Sequence, residues 1–581
     1  MLSGYNQHDL RLWGPTLILM RISVSPASLL RAIAMTAILL TADGAMAAQS
    51  AAPPDPAAVE IQHRLAEASA TLRLHNETLE LDALRGFYRG RQWRPAWTDT
   101  ADKVVAVLAT AEQEGLPPGP MHLPAIAAVR GAAASPASEA DSDLLISDAL
   151  LRYAAAMRGQ RADPTVLEDD WFIHTPGFDA VAFLKDNAAN ILPALQSLQP
   201  PYAGYQQLRA QLAKLRAIAA GGDWPKVPTG PSIKPGAVDD RIPAVRARLI
   251  ATGELAAADA DSTTYDENLQ AAVQLFQQRR GLNDDAVLGK QTVGAMNASA
   301  ADIAHQITVN MERWRWLPPK LEDNHIVVNV AAASLEVVEN GRSMLTMRTI
   351  VGAPDHPTPA LHAHLTSLVL NPTWSVPSSI ATKEILPKLK KDPGYLVAND
   401  LEIISDAFPP GSPEAQGVGI DWKERQSFPW QLRQRPGSDN ALGRIKFSIP
   451  NDDDIYLHDT PNHRLFARSY RALSHGCVRL DKPDDLALYL LKDRDWTAQK
   501  LDEEIDKGNT RSVPVSKALP VWLLYWTAWV DGDGVLQLRD DLYGRDQRLS
   551  AALASPERVA QAVARDPSAP TKTVCEGCRV P

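Results

Sequence analysis

Cysteine is scarce in this chain, with three residues out of 581. Two of them, Cys575 and Cys578, form a Cys-x-x-Cys pair at the C-terminus. No βαβ pattern surrounds the pair, which argues against a thioredoxin-like motif. No two further ligands lie nearby, which argues against a zinc site. Outside the cytoplasm the pair is suited to closing a small disulfide. Basic charge is also lacking: the net charge is -10, with no clustered basic stripe, so a nucleic-acid partner is not expected. Beyond the N-terminus no stretch is long and apolar enough to cross a membrane.

The N-terminus reads as an export signal over residues 1–47. Arg21 and Arg31 precede the mostly apolar run Ala32–Leu40, and Ala45-Met46-Ala47 supplies a small-x-small cleavage pattern. Met20, directly before Arg21, is an alternative start, and an uncleaved anchor is the alternative to cleavage. Either way the chain is expected to work outside the cytoplasm. In an oxidising compartment the third cysteine, Cys477, is a free thiol that requires a reason.

The length predicts several domains. Residues 48–60 read as a flexible Pro/Ala-rich leader and 61–220 as a helical region, with Leu208, Leu212 and Leu215 on one face. Within it, Arg91–Trp97 and Arg161–Pro164 read as turns, at the surface or packed on the helices. Gly and Pro mark 221–238 as a linker. From 239 to 298 a small helical unit is expected, its stripe formed by Leu269, Val273 and Phe276, with Gly281 ending that helix in the left-handed conformation.

From His325 the period becomes extended. Strands are predicted over Val327–Val330, Leu335–Val338, Ser343–Val351, Leu365–Leu370 and Ile455–His458, with Asn340-Gly341 as a type I′ turn. Residues 371–450 form a long insertion with a helical stretch, Ala381–Lys391, and read as a lid. This extended domain is placed at 325–500, followed by a C-terminal helical segment and tail over 501–581. The fold class is therefore multidomain α+β.

A thiol is nucleophilic as thiolate and needs a base or positive surroundings. His475 lies two residues before Cys477, and His458 lies nineteen residues before it, at a predicted strand end. Gly476 frees the local backbone, so that N–H groups beside Cys477 can point at an oxyanion. Arg479 offers a permanent charged fork for a carboxylate. By residue types alone, a buried structural cysteine is the favoured reading over a nucleophile. His362-Ala-His364 is a pair of metal-ligand type, but the sequence around it supplies no third ligand, so no metal is expected.

Two phrases carry a resemblance. Leu269–Leu282 with Gly289–Asn297 resembles peptidoglycan-binding domain 1, a three-helix wall-binding module, although Asp285-Ala286 stands where Asp-Gly is usual. Asn440–Leu480, with His458 followed by Ser474-His475-Gly476-Cys477-Val478-Arg479, resembles the YkuD-type catalytic domain of L,D-transpeptidases. The domain order, the insertion, and the phrases Asn371–Pro377 and Lys383–Pro387 are similar to the YcbB-like branch, which carries a helical scaffold domain.

The resemblance implies Cys477 as nucleophile and His458 as base, with Gly476 and Cys477 as backbone donors and Arg479 holding substrate. It also places Tyr456, Trp374, Ser474 and His475 around the cleft. It implies peptidoglycan peptide stems as substrate, other wall-synthesis enzymes as candidate partners, a periplasmic location and no cofactor. A non-catalytic wall-binding scaffold is the alternative of a different class. A wall-peptide hydrolase of the NlpC kind places cysteine before histidine, the reverse of the order here.

Overall fold

The computed structural model describes residues 54–257 and 260–554. The signal segment, Cys575 and Cys578 lie outside them. Residues 56–60 of the expected flexible leader begin a helix, Pro56–Glu67, because Pro56 suits a first turn and Ala57, Ala58, Ile61 and Leu65 share a buried face.

The N-terminal helical region is organised around one long helix, Pro136–Met157, capped by Ser135 through a capping box. Its Asp143 is buried and accepts the N–H groups of Ala96 (2.8 Å) and Trp97 (2.8 Å), while the Trp97 indole donates to Ser147 at 2.8 Å. The Arg91–Trp97 turn is therefore pinned to the helical core at Ala96 and Trp97.

The expected linker is not free chain. Val227 and Ile233 are buried with Ile242, Val245, Leu269, Val273 and Phe276 in the core of the small helical unit, and Ile233 bridges Leu288. Gly and Pro give this stretch an extended backbone without making it mobile, since its apolar side chains have a core to enter. Gly281 has φ +67°, the left-handed helix end expected of it, and Ala286 has φ +58°. The Asp-Ala departure thus occupies a position that favours glycine.

The extended domain is a sheet closed on itself. Its main strands are β1 (Asn324–Asn329), β2 (Ser334–Glu339), β3 (Arg342–Gly352), β4 (Ala360–Leu370), β5 (Ile445–Ser448), β6 (Leu457–His458), β7 (Val478–Leu480) and β8 (Arg511–Leu524). They run in the order β5-β6-β7-β3-β2-β1-β8-β4, and β4 pairs again with β5 to close the ring. Positive φ at both Asn340 (52°) and Gly341 (75°) gives the predicted type I′ turn between β2 and β3. Alternation sends Ile326, Val328, Leu361, Ala363, Leu365, Ile445, Phe447, Leu457, Val478 and Leu480 to the inner core.

One segment departs from expectation. Arg511–Leu524, read as part of a C-terminal helical segment and tail, is a long strand between β1 and β4. Val513, Val515 and Val521 through Leu524 fill a place the preceding strands leave open, and such a strand is recognisable only by its neighbours. Its outer face, with Trp522, Leu524 and Trp526, joins helix Ala300–Arg315 and residues Tyr205–Leu215 in a shared core. The helical region and the closed sheet are thereby packed as one body.

The insertion is helical over Ser378–Lys391, as expected, and also carries a three-stranded antiparallel sheet, Trp374–Val376, Gln431–Gln434 and Leu401–Ile404. Val376, Leu389, Leu396, Trp422, Phe428 and Leu432 give it a core of its own. Its final residues are β5 of the main sheet. Among the described residues, no helix is long and apolar enough to cross a membrane.

Candidate active site

Three neighbouring strands build the site. β5 and β6 are antiparallel with Lys446 opposite His458, and β6 and β7 are parallel with His458 beside Arg479 and Leu457 beside Val478. Because Leu457 and Val478 point inward, Tyr456 and His458 on one strand and Cys477 and Arg479 on the next all face outward. A strand alternation therefore gathers five chemical groups, Lys446 included, on one surface of the ring.

Cys477 sits at the entry to β7, and its thiol lies 3.6 Å from the Asp454 carbonyl. Burial raises its pKa, while the Tyr456 backbone and hydroxyl and the charges of Lys446 and Arg479 oppose that rise. The Tyr456 hydroxyl faces the thiol and Trp374 of the insertion. Its ring carries the Lys446 ammonium 3.9 Å above its centroid. Burial keeps that phenol protonated, with its pKa well above the usual range.

His458 is fully enclosed. Burial, together with the charge of Arg479, lowers its pKa to about 3, so the ring is neutral. Nδ1 meets the Asp459 carbonyl at 2.5 Å, which assigns the proton to Nδ1 and leaves Nε2 as the basic nitrogen. Arg479 is largely buried, which lowers its pKa, and the thiol is the main charge partner opposing that shift. Among the described residues no carboxylate pairs with it, and its Nε is buried without a hydrogen bond. A buried guanidinium without an anion is an open position for one.

The loop before β7 is braced from below. Gly476 has φ +108°, a backbone angle that L side chains rarely adopt. The Gly476 N–H donates to Ser474 Oγ at 3.2 Å, and that hydroxyl donates to the Cys477 carbonyl at 2.5 Å. The N–H of Gly476, expected to meet an oxyanion, is held by Ser474 within the loop. The Cys477 N–H makes no such bond among the described residues. Thr358, wholly buried, donates to the Gly476 carbonyl at 2.7 Å and accepts the Gly352 N–H at 2.8 Å.

His475 engages the insertion. Its Nε2 lies 2.6 Å from Glu384 of the insertion, and its ring stacks on His356 at 4.9 Å. Glu384 belongs to a π-helical turn, Ala381–Ile385, a geometry frequent at functional sites.

Of the residues singled out from the sequence, Cys477, Tyr456, His458, Arg479 and Trp374 converge. Ser474 shapes the loop, and His475 links the loop to the insertion. Lys446 and Thr358 were missed. Lys446 alternates with buried Ile445 and Phe447 as any solvent-facing strand lysine does, and only its register against His458 marks it. Thr358 is separated from Cys477 by more than a hundred residues and belongs to no local motif.

Comparison with known proteins gives three matches along the chain. Residues 323–500 match the family "L,D-transpeptidase catalytic domain", 82–212 a "Scaffold domain", and 239–296 a "Putative peptidoglycan binding domain". A Haemophilus influenzae protein named "Putative L,D-transpeptidase" is 35% identical over 271 residues, or 46% of this chain and 54% of that protein. The chain thus spans about half the length of that curated relative.

Among solved structures, an L,D-transpeptidase from Mycobacterium smegmatis aligns with 17% identity and TM-score 0.18 over 35% of this chain and 58% of its own. One from Stackebrandtia nassauensis aligns with 13% identity and TM-score 0.21 over 52% of this chain and 96% of its own. The matches support the multidomain reading and do not distinguish the YcbB-like branch.

Proposed function

We propose that the protein is a peptidoglycan L,D-transpeptidase of the cell wall, with Cys477 as its nucleophile. The observation that carries the reading is the thiol itself. It lies inside the stretch matching the catalytic-domain family, on one sheet face with neutral His458 and with Arg479, which has no anionic partner.

The substrate is the tetrapeptide stem of peptidoglycan. Arg479 takes a carboxylate of the stem, and Trp374 with Tyr456 lines the cleft that receives it. His458 Nε2 accepts the thiol proton, and the thiolate attacks the carbonyl carbon at the stem's L-centre. The oxyanion that forms is met by the Cys477 N–H. When the C–N bond breaks, the proton on His458 passes to the departing amine of D-alanine, leaving a thioester. The diaminopimelate amine of a second stem then attacks, its proton goes to His458, and the thiolate leaves. The product is a diaminopimelate–diaminopimelate cross-link. Water in the amine's place gives carboxypeptidase chemistry.

Substrate binding also helps to activate the base. The Arg479 charge is, after burial, the main cause of the depressed His458 pKa. A carboxylate paired with Arg479 neutralises that repulsion and raises the proton affinity of the imidazole once substrate is seated. The peptidoglycan-binding match at 239–296 supports a wall location and a wall substrate. The export signal read at the N-terminus agrees with a periplasmic enzyme, and other wall-synthesis enzymes are candidate partners.

The test is incubation of the purified protein with disaccharide-tetrapeptide stems, followed by mass spectrometry of the products. Cross-linked dimers with released D-alanine are expected, and both disappear in Cys477→Ala. Tripeptide alone would replace transfer with hydrolysis, and unchanged stems would remove the proposal.

A further inference from the structure

His362 and His364 were left without a third ligand by the sequence. The fold supplies one. Both histidines lie on the outward face of β4, two residues apart, where alternation points their rings the same way. Glu322, from the segment leading into β1, reaches the same place. Ligand atoms of Glu322, His362 and His364 lie within 4.8 Å of one another. We propose that these three residues form a divalent metal site that takes Zn2+.

Several independent features point to a ligand there. His362 Nε2 is buried without a hydrogen-bond partner and stands 3.5 Å from Glu322 Oε1, too far for a hydrogen bond and suited to a shared ion. The Trp522 indole donates to Glu322 Oε2 at 3.1 Å, which holds the carboxylate and leaves Oε1 for coordination. The same indole stacks on the His362 ring at 3.8 Å with the planes 15° apart, fixing its orientation. His325 Nδ1 lies 2.5 Å from the Glu322 carbonyl and braces the backbone of the acidic ligand. Such supporting contacts are the usual means of orienting metal ligands. Burial lowers the His362 pKa, so the ring is in the neutral form that binds metal.

Two imidazoles and one carboxylate are the donor set of a borderline ion, and water completes a tetrahedral sphere. Magnesium and calcium, which prefer all-oxygen surroundings, do not fit. The ion fastens the segment between helix Ala300–Arg315 and β1 onto β4, at the seam where helical region and closed sheet share Trp522. It lies on strands other than β5, β6 and β7, so its role is to hold the domains together rather than to take part in the reaction at Cys477.

The Cys575–Cys578 pair is a competing metal binder, so the test uses the full chain carrying Cys575→Ser and Cys578→Ser. After chelator treatment and dialysis against micromolar Zn2+, elemental analysis is expected to find one zinc per chain. Zn2+ should raise the melting temperature by a few degrees. His364→Ala should abolish both effects, and Glu322→Gln should weaken binding at least tenfold. Circular dichroism reports whether each variant folds; His364 and Glu322 are exposed, so both substitutions should be tolerated. Absence of stoichiometric zinc in the chain carrying Cys575→Ser and Cys578→Ser would overturn the site, as would undiminished zinc binding by His364→Ala and Glu322→Gln. Dimer formation from stems, measured separately, keeps this result distinct from the transpeptidase reading.

Discussion

His458 and Arg479 stand side by side in register on the parallel strands β6 and β7, and the guanidinium helps to keep the imidazole uncharged. An imidazole in the unfolded chain takes up a proton near ~6.5. In the fold, burial and this neighbour move that point to about 3. As pH falls the unfolded state therefore binds the proton first. The stability contributed by the neutral ring is complete above ~6.5 and is lost progressively as pH falls toward the folded-state value. His458→Gln should flatten this acid limb of the melting-temperature profile. It should also lower turnover by about 10²–10⁴-fold, the usual worth of a general base. An unchanged acid limb, measured by calorimetry from pH 7 to 4, would show that the ring is not held neutral.

Arg479→Ala should lower kcat/KM for tetrapeptide stems by roughly 10–100-fold, corresponding to a charged hydrogen bond worth about 1.5–3 kcal/mol. Arg479→Lys should recover only part of this, because an ammonium lacks the planar fork. Arg479→Ala should also raise the His458 pKa by removing its repulsive neighbour, which NMR titration of the ring detects. Loss of activity without a shift of that titration would separate a binding role from the electrostatic one.

A carbapenem offers a strained acyl group to a nucleophile, and the expected product is a covalent adduct of one drug molecule on Cys477. Intact-mass measurement reads the adduct directly. It should be absent from Cys477→Ala, and an adduct that persists there would place the reactive group elsewhere.

Thr358→Val should destabilise the fold by about 1–3 kcal/mol, because it leaves the buried Gly352 N–H and Gly476 carbonyl without their shared partner. Since Gly476 precedes Cys477, acylation of that thiol should slow as well. Thermal melts and the rate of adduct formation test the two parts.

His475→Ala should change stability by no more than ~1 kcal/mol, since both His475 and Glu384 are partly exposed and surface ion pairs contribute little. Turnover should fall only a few-fold. A loss as large as that of His458→Gln would assign the base role to His475 instead.

The sequence by itself determined the local features. The Asn340-Gly341 turn, the stripe of the small helical unit and the helical part of the insertion follow from residue chemistry and from periods of two or 3.6 residues, while Cys477 and His458 are marked out by the resemblance their phrase carries. Ser474-His475-Gly476-Cys477 is contiguous and therefore legible as a unit.

Only the tertiary structure decided the rest, because it depends on which strands lie side by side. Lys446 enters the site through its register against His458, and Ser474 binds the Gly476 N–H. β8 takes its place between β1 and β4 from a segment read as tail. Glu322 joins His362 and His364 across forty residues of chain. Pairing across a sheet is set by the burial of inner faces far apart in sequence, and no local window contains that information.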